Sequence, residues 1–193
     1  METLLSLCLG IGLAAACGFR IFAPLLAMSI AANTGHLSLA GGFDWIGSRP
    51  ALMAFGVATV LEVLAYYVPW LDNLLDTAAV PIAVVAGIVV TASVVTDVSP
   101  LLRWTLAAVA GGGAAGTTQS LTTLTRSLSS VTTGGFGNPL VATAEAGSSL
   151  VLSALSLIAP LIAAICLVVG GTLLLVMLLR WRGGRQAPAY SRQ

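Results

Sequence analysis

Charge is scarce in this sequence. Only 8% of its 193 residues are charged, lysine is absent, and all eight basic residues are Arg. With a formal net charge of +1 there is no basic patch of the kind that holds a nucleic-acid backbone. The single His, His36, has no recognisable nucleophile partner, so triad chemistry has no support. Cys8, Cys17 and Cys166 are odd in number, lie in apolar stretches and lack paired spacing, which argues against a disulfide framework and against a zinc site. A basic segment ahead of the first apolar run is also missing. Glu2 is the only charge there, so Ala14-Ala15-Ala16-Cys17 is not expected to be a cleavage site.

Apolar residues make up 58% of the chain, and they fall in long runs. Long runs at this charge content describe an integral membrane protein, not a soluble core. Five apolar segments stand out, at about 3–32, 51–68, 78–96, 101–131 and 148–180, separated by Gly, Pro and Asn. Ser48-Arg49-Pro50 and Ser99-Pro100 each place a capping hydroxyl and a first-turn Pro ahead of a run. Trp45, Trp70, Trp104 and Trp181 all fall at segment ends, where an interfacial aromatic belt is expected. A crossing needs about 20 residues. Segments 101–131 and 148–180 exceed that: the first either extends past the bilayer or breaks at Gly111-Gly112-Gly113, and the second has a candidate break at Pro160.

The expected fold is therefore all-α, a polytopic transmembrane helix bundle with five or six crossings over residues 1–182. Residues 183–193 are expected to form a disordered tail. Four of the eight Arg (Arg180, Arg182, Arg185, Arg192) lie at the C-terminus, which favours a cytoplasmic C-terminus. Five crossings then put loop 33–50 on the cytoplasmic side and loop 132–147 outside. Matches at an offset of 100, such as Gly12 with Gly112 and Gly47-Ser48 with Gly147-Ser148, raise the possibility of an inverted-topology repeat with halves 1–97 and 98–182.

The polar residues inside these segments are the candidates for function. Residues 117–131 have a helical period. One row is Thr118, Thr122, Thr125 and Ser129, and the adjacent row is Gln119, Thr123, Arg126 and Ser130. The opposite side is Leu121, Leu124, Leu128 and Val131. In hydrocarbon such a hydroxyl face needs water, a partner helix or a ligand. Arg20 lies deep in the first segment, one turn before Pro24, and Glu62 lies inside the second, where an isolated carboxylate is costly. Glu62 is expected either to pair with Arg20 or to carry a proton. Asp72 and Asp76, four apart after Pro69, would share the face of a short interfacial helix. They are either a hard-cation pair or a solvated turn. Thr132-Thr133-Gly134-Gly135-Phe136-Gly137-Asn138-Pro139 forms a Gly-rich loop leading to Glu145, a gate or an ordinary turn. It lacks the Gly-Lys-Ser/Thr of a phosphate-binding loop.

Ala-Cys-Gly-Phe-Arg at 16–20, Trp-Ile-Gly-Ser-Arg-Pro-Ala-Leu at 45–52, Glu62 through Asp76, and Gly-Asn-Pro-Leu at 137–140 with Glu145 resemble a family of small bacterial integral-membrane proteins catalogued only as a domain of unknown function. The resemblance covers most of residues 10–160. It implies a polytopic protein of the bacterial cytoplasmic membrane and carries no activity or catalytic residue. From the residues themselves, the first expectation is a transporter or channel for a small polar or anionic solute. Its pathway would be lined by Arg20, Glu62, Thr118, Gln119, Thr122, Thr125, Arg126, Ser129, Asn138 and Glu145, with no cofactor. The second is a structural or assembly protein, a homo-oligomer in which the polar face of 117–131 is a dry, hydrogen-bonded helix–helix interface and the small-residue pair Gly112 and Gly116 allows close packing. The third is a metal-dependent transfer enzyme resting on Asp72 and Asp76.

Overall fold

The computed structural model describes residues 2–65 and 69–184, with side chains described except at 69–77, 174–175, 178–179 and 181–184. Its helices are α1 (Glu2–Cys17), α2 (Phe22–Asn33), α3 (Arg49–Ala65), α4 (Pro69–Val94), α5 (Pro100–Leu106), α6 (Gly113–Thr133), α7 (Asn138–Ile158) and α8 (Pro160–Gly184). A short 3₁₀ turn, Asp44–Gly47, precedes α3, and a π-helical stretch, Ala107–Gly112, joins α5 to α6. No strand occurs among the described residues, as expected for an all-α chain. Of the described helices, α7 is long and apolar enough to cross a membrane, while Glu2–Cys17, Phe22–Asn33, Ala78–Val94 and Pro160–Leu173 are shorter apolar stretches.

α1 is the central helix because its side chains are small. Gly10, Gly12, Ala14, Ala15 and Ala16 are buried and let neighbouring backbones close in. Gly10 lies against Thr91, whose hydroxyl donates to the Gly10 carbonyl at 3.1 Å. Gly12 faces Ser156 and Ala163, and Gly18 faces Ala115, Thr118 and Gln119. These contacts fix the directions. α1 and α6 run side by side the same way, and both are antiparallel to α4. Gly87 of α4 meets both Ala14 and Ala115, and Gly111 meets Gly87 and Thr91. An inverted repeat relating α1 to α6 at the offset of 100 would set these two helices in opposite directions, so that expectation is not met.

The first apolar segment is not one pass. α1 stops at Cys17, and after Gly18–Ile21 the chain turns back as α2. The start of α1 lies beside the C-terminal end of α4. So does the chain after α2, where Ala40 donates its N–H to the Ser93 carbonyl at 2.7 Å. α2 therefore returns to the end from which α1 set out, and Gly18–Ile21 is the tip of a helical hairpin. α3 runs back along α2, with the Ser29 hydroxyl on the Ile46 carbonyl at one end and Glu62 at the tip at the other. Leu13, Leu25, Met28, Ile46, Phe55 and Val90 fill the apolar core between these elements.

Other expectations also shift. Segment 101–131 does not break at its glycines. It widens into the π-helical stretch, in which Gly111 passes against the backbone of Gly87. Segment 148–180 does break, at Ala159 before Pro160, and its first part begins ten residues earlier, at Asn138. The expected loop 132–147 contracts to the turn Gly134–Gly137, with Gly134 and Gly135 at positive φ, and Glu145 is a helix residue. Pro69 opens the long helix α4, not a short interfacial one. α8 continues through Gly184, past the expected start of the tail, whose remaining residues 185–193 lie outside the described residues.

Candidate functional site

The tip of the α1–α2 hairpin is held by groups from two other helices, α3 and α7. Breaking a helix leaves carbonyls free on one side and N–H groups free on the other. Ser149 of α7 donates its hydroxyl to the Ala16 carbonyl at 3.0 Å, with the Arg20 carbonyl at 3.4 Å. Glu62 of α3 takes the other side: its Oε1 accepts from Ile21 N–H at 2.7 Å and its Oε2 from Phe22 N–H at 3.0 Å. A carboxylate at the start of α2 also complements the positive end of the helix dipole. Glu62 thus also caps a helix across the bundle, a role the sequence did not suggest, with Arg20 and Arg126 acting on it electrostatically.

Arg20 points from the tip into the bundle and is 2% exposed. Its Nη2 donates to the Ala142 carbonyl at 2.8 Å and lies 3.4 Å from Glu145 Oε2. Arg126 of α6, 3% exposed, meets the same carboxylate with two nitrogens, Nε to Oε1 at 3.0 Å and Nη2 to Oε2. Glu145, itself 4% exposed, is therefore gripped in fork geometry by Arg126 and shared with Arg20. Such a cluster is expensive to desolvate, and its geometry must be good for it to persist.

The cluster adjoins open space. A cleft of about 540 Å³ runs between α6 and α8, floored by Ala15 and Phe19. Thr117, Thr118, Leu121, Thr122 and Thr125 line the α6 side, facing Cys166, Gly170 and Gly171 of α8. A second hollow of about 220 Å³ shares Phe19, Thr122 and Thr125 with the first and reaches Glu145 and Ser148. The hydroxyl row thus leads from an open groove to the ion cluster, with Phe19 between them.

The structure brings together Arg20, Arg126, Glu145, Thr118, Thr122 and Thr125. Gln119 is buried, with its amide near the Thr123 hydroxyl, and is not on the cleft wall. Ser129 and Asn138 lie beyond the cluster at the α6–α7 turn, where the Asn138 amide donates to the Ser130 hydroxyl at 3.0 Å. Asp72 and Asp76 fall within α4, but their side chains lie outside the described residues, so the expected metal pair is not placed. Among the described residues no group of three metal-ligating side chains occurs. Phe19, Ser148, Ser149 and the Gly170-Gly171 wall were not anticipated. The buried serines Ser149, Ser153 and Ser156 recur at helical spacing on α7, a signal as readable as the threonine row.

A family model described as "Domain of unknown function (DUF4126)" matches residues 7–181, and the chain belongs to that family. No curated protein and no solved structure matches it.

Proposed function

We propose that the chain is a polytopic membrane protein that passes a small polar or anionic solute along the hydroxyl cleft of α6 to the Arg20–Glu145–Arg126 cluster. The membrane reading is supported by an inverted distribution of polarity. Val57, Leu61, Leu124, Val151, Ile165 and Met177 are exposed on the outside of the bundle, while Arg20, Arg126, Glu145, Ser149 and Ser153 are buried within it. Water favours the opposite arrangement, and lipid favours this one. In this reading α3, α4, α5–α6, α7 and α8 make five crossings. The α1–α2 hairpin, with helices of 16 and 12 residues, enters and returns on one side.

The single observation that carries the transport reading is the continuity between the threonine-lined cleft and a buried cluster holding two guanidinium groups. The cleft wall is mostly apolar, with the hydroxyls of Thr117, Thr118, Thr122 and Thr125 set into it, and polar groups within a membrane bundle mark candidate solute pathways. The chain supplies its own probe. Cys166 lines the cleft, whereas Cys8 and Cys17 are buried. A membrane-impermeant maleimide is expected to label the parent protein once, at Cys166. In a Cys166→Ala background it should label Thr118→Cys and Thr125→Cys and spare Leu128→Cys, whose native side chain is 66% exposed toward the lipid. Protection of positions 118 and 125 along with 128 would mean that the cleft is dry, and would sink the transport reading.

The assembly reading loses its specific support. Gly116 lies against Val84 and Gly112 against Ile88 and Val84, so the small-residue pair packs α6 on α4 within the chain.

A further inference from the structure

The groups that face the open space are not those an anion needs. Neither guanidinium group lines the cleft or the smaller hollow. Among the described residues, Glu145 is the one charged group that reaches either space. The nearby hydroxyls are already committed as donors. Thr122 donates its hydroxyl to the Gln119 carbonyl at 2.9 Å, and Thr125 donates to the Leu121 carbonyl at 2.9 Å. What these side chains offer a solute is oxygen lone pairs. We propose that the cleft and hollow bind a small uncharged polyol, whose O–H groups donate to the oxygens of Thr122 and Thr125 and, at the inner end, to Glu145. This rests on the transport reading above and narrows its solute from polar or anionic to uncharged and hydrogen-bond-donating.

The donor pattern weighs against an anion, which brings acceptors only. To receive one, Thr122 and Thr125 would have to turn from the carbonyls they now bond, and a Glu145 carboxylate would still line the hollow beside it. The wall weighs against a cation. Ala15, Ala114, Leu121 and Leu167 cannot replace a hydration shell, and an ion stripped of water against them is costly. An uncharged donor avoids both penalties. The shape of the site favours several hydroxyls on one short chain. Thr118, Thr122 and Thr125 recur along one face of α6, so their oxygens step along the cleft by roughly 4.5–6 Å. The Thr118 hydroxyl can turn to accept or to donate. A linear polyol carries O–H groups along one edge and C–H groups along the other. That edge pattern matches a hydroxyl row set into an apolar wall. Gly170 and Gly171 leave room opposite the row, since a β-carbon on either would meet nothing within 4 Å.

Cys166, on the cleft wall, reports occupancy. The purified full chain in lipid nanodiscs is alkylated with a maleimide in the presence of glycerol, of the fully methylated ether of glycerol, or of sodium nitrate. Each rate is divided by that of glutathione in the same solution. Glycerol is expected to slow alkylation of Cys166. The ether, which keeps the oxygens and has no O–H, and nitrate should leave it unchanged. Thr125→Val, which removes one acceptor and keeps the shape, should weaken glycerol protection about fivefold, and Thr125→Ser should restore it. Protection by nitrate and not by glycerol overturns the inference and leaves the anionic form of the transport reading in place. Equal protection by glycerol and its ether overturns it as well, because donors would then be irrelevant. So does a labelled Cys166 that none of the three protects, or a Thr125→Val protein protected as well as the parent. A Cys166 that no maleimide reaches means a dry cleft, and both readings fall together. If glycerol protects Cys166 but does not cross proteoliposomes any faster than protein-free vesicles, the transport reading fails and the polyol site stands.

Discussion

Arg20 and Glu62 lie in separate apolar segments, and both sit at one break in the chain. Glu62 satisfies two N–H groups that have no helical partner at the start of α2. Removing its carboxylate should leave two sheltered donors unpaired, each costing about 1–3 kcal/mol. Glu62→Ala is therefore expected to lower the melting temperature in detergent substantially, and Glu62→Gln, which keeps one acceptor oxygen, to fall between the two. Equal melting of Glu62→Ala and the parent protein would show that the tip does not depend on this cap. At this scale the sequence was informative about which residues matter and poor at assigning partners. The rarity of charge in apolar runs singled out Arg20, Glu62, Arg126 and Glu145 directly. That Glu145 bridges Arg20 and Arg126 while Glu62 binds backbone depends on which helices meet. Pairings across 122 and 41 residues of sequence leave no local pattern.

Helix positions in this protein are set by glycine as much as by hydrophobic burial. A β-carbon on Gly87 would lie 2.7 Å from the Gly111 carbonyl oxygen, and one on Gly111 would lie 2.6 Å from that of Gly87. Both are obstructed by backbone, which cannot rotate aside as a side chain can. Gly111→Ala should destabilise the protein by about 1–3 kcal/mol by forcing α4 and the π-helical stretch apart. Gly113→Ala, with nothing within 4 Å, should be neutral or slightly stabilising. Thermal unfolding of the two variants side by side checks this, and equal melting would mean that the α4 contact is looser than the structure shows. The threonine face of α6 was legible because a 3.6-residue period survives in any environment. The α1–α2 hairpin was not. Gly18-Phe19-Arg20-Ile21 carries no strong turn signal, and a membrane helix tolerates Gly and Pro, so composition alone favoured one continuous pass.

The arrangement of the ends follows from the hairpin and from the break at Ala159. The start of α1, the chain between α2 and α3, and the junction of α4 and α5 share one end of the bundle. The α6–α7 turn and the last residue of α8 lie at the other, since α6 and α8 run in the same direction as α1. On the membrane reading proposed above, the positive-inside tendency of Arg180, Arg182, Arg185 and Arg192 would put that second end in the cytoplasm. Residues 34–48 then lie outside and Gly134–Gly137 inside, the reverse of what five simple segments require. The hairpin removes one side change and the α7–α8 break adds another. Each changes the parity, so the N-terminus keeps its side while the intervening loops exchange theirs. A reporter inserted after Gly41, where nothing lies within 4 Å, should therefore be accessible from outside the cell, and one inserted after Gly135 should not. If the insertion after Gly41 proves cytoplasmic while the C-terminus is also cytoplasmic, α1 and α2 form one crossing. Arg20 would then sit at a kink within a spanning helix, and the re-entrant α1–α2 hairpin would have to be abandoned.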